Sequence, residues 1–159
     1  MNKTIPIVAA PVAAPSTAIE FEKTWRRSCK SQDARWRYLG VTAGDSTGRI
    51  AKLFKVEING TVLSELVSAL AAGYVALPQE EKEGETRVEW GGANDVKEIG
   101  KRVAACMTEL ATCGRFALAS KLLGSKVKAG VVALVDALVA RGAVDEANAD
   151  HLRLTYGVS

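Results

Sequence analysis

The sequence predicts an all-α fold: a compact bundle of about seven or eight short helices behind a disordered N-terminal tail. Three observations carry that expectation. Apolar residues recur at three- and four-residue spacing through most of the chain after residue 15. Glycines, prolines and short polar runs cut this pattern into pieces of helix length. The abundant alanine and valine never settle into the two-residue alternation of a half-buried strand.

Each element follows in order. Residues 1–15, with prolines at 6, 11 and 15, read as a disordered tail, and residues 16–159 as the helical domain. Ser16 or Thr17 caps a first helix that carries Phe21 and Trp25 and runs to about Cys29. A second, Gln32 to Leu39, carries Trp36 and Tyr38. The Gly/Ser/Thr run at 41–48 then separates it from a short helix at Arg49 to Lys55. Asn59 caps the next, whose Val62, Leu63, Leu66, Val67, Leu70 and Tyr74 share one face, and Pro78 stops it. Residues 79–94 hold glutamates at 80, 81, 83, 85 and 89 and read as a mobile acidic loop, too polar to be core.

The second half repeats the helical signal. Val96, Ile99, Val103, Cys106 or Met107, and Leu110 mark a helix that Gly114 breaks. Arg115 to Leu123 form a short helix. Ser125 opens a long one, with Val127, Val131, Leu134, Val135 and Leu138 on one face. Val132 and Val139 make its other side apolar too, which places this helix at the centre of the fold. Gly142 ends it, and Asp145 to Tyr156 supply the last amphipathic helix.

Composition excludes several function classes. The 159 residues suffice for one ordinary core with a tail. Apolar residues make up 48% and charged residues 25%, the balance of a globular chain rather than a disordered one. Lys and Arg exceed Asp and Glu by only 21 to 18, too little to argue for nucleic acid. Cys29, Cys106 and Cys113 are odd in number and read as buried, reduced thiols of a cytosolic protein. No long apolar run escapes a charge, Pro or Gly, so no membrane partner is expected.

Catalytic signals are thin. Residues 44–48, Gly-Asp-Ser-Thr-Gly, match the G-x-S-x-G elbow of esterases, and Asp136 or Asp145 followed by His151 gives the matching chain order. That motif needs a strand before it and a parallel sheet beneath it; an interhelical turn is the simpler reading of Ser46. His151 is the sole imidazole and has no identifiable orienting partner, so no metal site, cofactor or general base is expected. Trp25 to Tyr38 interleave aromatics with Arg26, Arg27, Lys30, Arg35 and Arg37, which superficially suggests a base-stacking patch. Two short helices must anchor somewhere, however, and core packing explains the rings better.

A family resemblance emerges from several runs taken together. Phe21-Glu22-Lys23-Thr24-Trp25-Arg26-Arg27, Tyr38-Leu39 and Lys52-Leu53-Phe54-Lys55 resemble the C-terminal domain of RNA polymerase II-associated protein 3, shared with sperm-associated antigen 1 and coiled-coil domain-containing protein 103. The likeness continues through Val62–Tyr74, Leu110–Phe116 and Leu154-Thr155-Tyr156-Gly157, so it spans about residues 16 to 159. The 43–48 turn lacks the family's proline, and the acidic 79–94 stretch is longer.

The resemblance implies a non-catalytic, helical adaptor that docks on RuvB-like AAA ATPases in co-chaperone-assisted assembly. It implies the ninety-kilodalton heat-shock chaperone as an indirect partner, and a cytoplasmic setting with a ciliary role through axonemal dynein arms among the clients. It also implies Arg115, Leu118 and Leu122 as the contact surface. Read from spacing alone, these three fall at i, i+3 and i+7 on one face of a short helix, with Phe116 and Ala119 turned to the core. An arginine with two leucines suits a protein-binding anchor, although core burial of the leucines is an equal alternative from the residues alone. A different class of reading remains: a structural or self-associating ciliary protein that binds dynein or microtubules directly.

Overall fold

The computed structural model describes residues 14–43, 48–77 and 89–158. Among them stand eight helices: α1 (Ala18–Ser28), α2 (Gln32–Ala43), α3 (Arg49–Leu53), α4 (Gly60–Val75), α5 (Val96–Leu110), α6 (Phe116–Lys121), α7 (Ser125–Ala140) and α8 (Glu146–Thr155). The all-α expectation holds. Residues 1–13, the Ser46 turn at 44–47, and 78–88 with Pro78 and most of the acidic stretch lie outside the described residues. The end of the expected tail is already fixed, since Pro15 is buried.

Side-chain caps set the helix starts. The Thr17 hydroxyl accepts from the Glu20 amide at 3.0 Å, the Asn59 side chain from Val62 at 2.8 Å, and Asp145 from Asn148 at 2.8 Å. Asp95 does the same for Glu98 at 3.2 Å. α3 is too short to carry its own cap and borrows one: the Glu109 carboxylate, from α5, accepts from Ala51 N–H at 2.9 Å.

α4 is the centre of the bundle. It buries Val62, Leu63, Leu66, Val67, Ala69, Leu70, Ala71 and Tyr74, and packs against α2, α5, α6 and α7. α7 was expected there and instead buries one face, Val131, Leu134, Val135 and Leu138, with Val132 and Val139 only half-buried. Its outer face carries Ala129, Ala133 and Ala140, small residues that look apolar in sequence yet stand exposed here.

The aromatic residues anchor the first two helices, as core packing requires. Phe21 stacks on Trp25 and Tyr38 at 5.4 and 5.3 Å between ring centroids. Arg35 lies over the Trp25 ring at 4.8 Å, and the indole N–H donates to Glu65 at 2.9 Å. These rings are inside the fold and offer no stacking platform to a base.

Three stretches depart from expectation, the smallest being α3, which ends at Leu53 rather than Lys55. α2 continues four residues beyond Leu39, through Gly40, to Ala43. Gly40 acts there as a notch rather than a breaker, because a Cβ would meet the Trp90 ring at 2.9 Å. The end of the acidic stretch is core rather than loop. Trp90 is buried, stacks on Trp36 at 4.8 Å, and donates its indole N–H to the Trp36 carbonyl at 2.7 Å. Paired amide–carbonyl bonds between Trp90 and Ala93 close the turn through Gly91 and Gly92. A lone tryptophan among glutamates gave no periodic signal.

Candidate protein-docking site

Arg115, Leu118 and Leu122 lie on or beside α6, and all three side chains reach solvent. Leu118 is 58% exposed and Leu122 is 71% exposed, whereas Phe116 and Ala119 on the other face are buried. The Phe116 ring meets Tyr156 edge-on at 5.3 Å. The helix is shorter than expected: Arg115 is its N-cap and Leu122 its C-cap, with only Phe116–Lys121 helical. Arg115 has φ 61°, the one non-glycine residue with positive φ among those described. That left-handed conformation carries a steric cost for a residue with a Cβ.

A second segment, not singled out by the sequence, completes the surface. Phe54 and Ile58 are both buried, and the residues between them form a strap with Lys55, Val56 and Glu57 turned outward. Gly114 fastens that strap. Its N–H donates to the Phe54 carbonyl at 2.9 Å and its carbonyl accepts from Ile58 N–H at 2.8 Å. A Cβ on Gly114 would collide with the Val56 carbonyl, so only glycine fits. The result holds Val56 at 86% exposed beside the start of α6. Arg115 reaches back to Glu57 at 3.8 Å across water-exposed side chains. Leu122 lies over the first turn of α4, where a Cβ on Gly60 would meet its Cδ1 at 2.8 Å. The strap escaped the sequence reading because an isolated valine between two charges has no period.

The described catalytic candidates, Asp136, Asp145 and His151, do not assemble. The described residues contain no strand ahead of the G-x-S-x-G run, and Ser46 itself lies outside them. Asp136 pairs with Arg153 at 3.4 Å, Asp145 is occupied as the α8 cap, and His151 is exposed on α8. His151 borders an open groove of about 280 Å³ between α5 and α8, lined also by Lys101, Thr108 and Asn148. No cluster of three metal-ligating side chains occurs among the described residues. The thiols of Cys29, Cys106 and Cys113 are free and buried. Burial raises the Cys106 and Cys113 thiols, with the charge of Glu109 adding to it, and Cys113 reaches about 12. They are inert packing groups at neutral pH.

Comparison with known proteins agrees with this architecture. The family described as "Potential Monad-binding region of RPAP3" matches residues 14–128. A relative from Chlamydomonas reinhardtii, "Dynein axonemal assembly factor 19 homolog", is 32% identical over 118 residues, 74% of this chain and 41% of that protein. The chain therefore spans about two fifths of that relative's length. The solved C-terminal domain of human RPAP3 superposes with a TM-score of 0.67 at 18% identity, covering 98% of this chain and 96% of that one, and so shares the fold. No described helix is long and apolar enough to cross a membrane. With a family model matched over most of its length, the chain belongs to the RPAP3 C-terminal domain family, a protein-binding module.

Proposed function

We propose that this protein is a non-catalytic adaptor that docks on RuvB-like AAA ATPases through Arg115, Leu118 and Leu122. The observation that supports it best is the exposure of two leucines on α6 while the helix's other face fills the core. Single exposed leucines are common, but two on one short helix, beside exposed Val56, form a grouped apolar patch of the kind that marks protein contact. The strained backbone at Arg115 supports the same reading, because strain of this kind concentrates where function needs a side chain aimed. The algal relative's name concerns dynein assembly, which favours axonemal dynein arms as the client and the cytoplasm as the place of work.

The experiment is a binding titration against a purified RuvB-like ATPase complex. Arg115→Glu is expected to weaken binding by about 2–5 kcal/mol, and Leu118→Ala by more than about 1 kcal/mol. Both variants should keep the melting temperature of the unmodified chain. Unchanged affinity in both would remove this face as the docking surface. Sedimentation of the chain with microtubules, in the absence of any ATPase, would favour the ciliary structural reading instead.

A further inference from the structure

We infer that the docking surface is composite, extending from α6 onto the Lys55–Glu57 strap, and that its partner presents an apolar side chain flanked by carboxylates. The inference rests on the docking reading above and adds the chemistry of what docks. Three apolar side chains stand out from this side of the bundle: Val56, Leu118 and Leu122. The strap that carries Val56 is pinned at both ends, where Phe54 and Ile58 are buried and each hydrogen-bonds the Gly114 backbone. Val56 is thus held outward in the folded domain, and a partner need not pay to order it.

Cations predominate around these side chains. No Asp or Glu occurs between Glu109 and Asp136, while Arg115, Lys121 and Lys126 all lie exposed in that stretch. Lys55 adds a further cation directly before Val56. Within the strap and α6 the one carboxylate is Glu57, and it is turned to Arg115. Glu57 therefore occupies the position that a partner's carboxylate would take, and docking exchanges an internal ion pair for an intermolecular one. An apolar centre with a cationic rim selects against a second copy of the same surface and for an acidic-rimmed one.

The test uses the full chain and a purified RuvB-like ATPase complex. Val56→Ser should weaken binding about tenfold with an unchanged melting temperature, since the side chain touches mainly solvent. Glu57→Gln should tighten binding about two- to threefold by releasing Arg115, where loss of a merely structural contact would leave it unchanged or weaker. Raising salt from about 0.1 M to about 0.5 M should weaken the unmodified chain and flatten the difference between Glu57→Gln and the parent. If Leu118→Ala loses binding while Val56→Ser, Glu57→Gln and salt change nothing, α6 docks alone and the composite, acid-seeking surface is wrong. If the unmodified chain does not bind the ATPase at all, the docking reading itself falls and takes this surface with it. Salt-sensitive self-association that Val56→Ser abolishes would make a second copy the occupant and overturn the assignment.

Discussion

Arg115 and Phe116 are neighbours in sequence with opposite duties. Arg115 adopts φ 61° with its side chain in solvent, and glycine meets that backbone without steric cost. Arg115→Gly is expected to leave stability within about 0.5 kcal/mol, strain relief being offset by the freer unfolded chain. Its loss should appear in partner binding alone. Phe116→Ala removes a ring packed edge-on against Tyr156 and should cost about 3–5 kcal/mol in chemical denaturation. A comparable stability loss for Arg115→Gly would show that the guanidinium holds the fold. Spacing places Phe116 and Ala119 on a different face from Leu118, but it leaves burial of the leucines as an equal alternative, and the structure is what turns them to solvent. The left-handed cap was not legible, since arginine carries no propensity for it.

Among the helices, several C-termini are closed by arginines from elsewhere in the chain. Arg141 at the end of α7 donates to the carbonyls of Tyr74, Val75 and Leu77 at 2.7, 3.3 and 3.1 Å, and lies over the Tyr74 ring at 4.8 Å. Arg35 likewise serves the Cys29 carbonyl after α1 at 3.1 Å. One planar group satisfying three carbonyls joins the ends of α4 and α7 in a way an ammonium cannot reproduce. Arg141→Ala should cost about 2–3 kcal/mol in urea unfolding, and Arg141→Lys should recover little of it. Full recovery by lysine would mean that charge alone matters. The N-terminal caps Thr17 and Asn59 could be read from sequence because they act within three residues. Arg141, sixty-odd residues from its acceptors, and Glu109, remote from α3, obey no local rule.

At the scale of the whole molecule, helix content and most boundaries followed from the spacing of apolar residues. The order of burial did not. α4 and α7 have similar apolar content, and only the packing of four neighbours on α4 makes it central. Burial also sets the response to alkali. Tyr156, whose hydroxyl donates to the Met107 carbonyl at 2.6 Å, is raised well above 10.0 by burial, and Cys113 moves from 9.0 to about 12. Groups raised in the folded state stabilise fully below their unfolded values, and that stability is lost as pH climbs toward the folded ones. Thermal stability should therefore be flat from about pH 6 to 8 and fall from about pH 9 upward, with a shallower fall for Cys113→Ala. An unchanged slope in that variant would mean the thiol takes no part.

The Trp36–Trp90 pair has a consequence for how the bundle opens. It fixes the chain at Trp90 against α2, while Arg141 fixes Leu77 beside the end of α7. These are two separate ties on two separate side chains. Losing one releases its own stretch while the other stays docked, which is local opening rather than global unfolding.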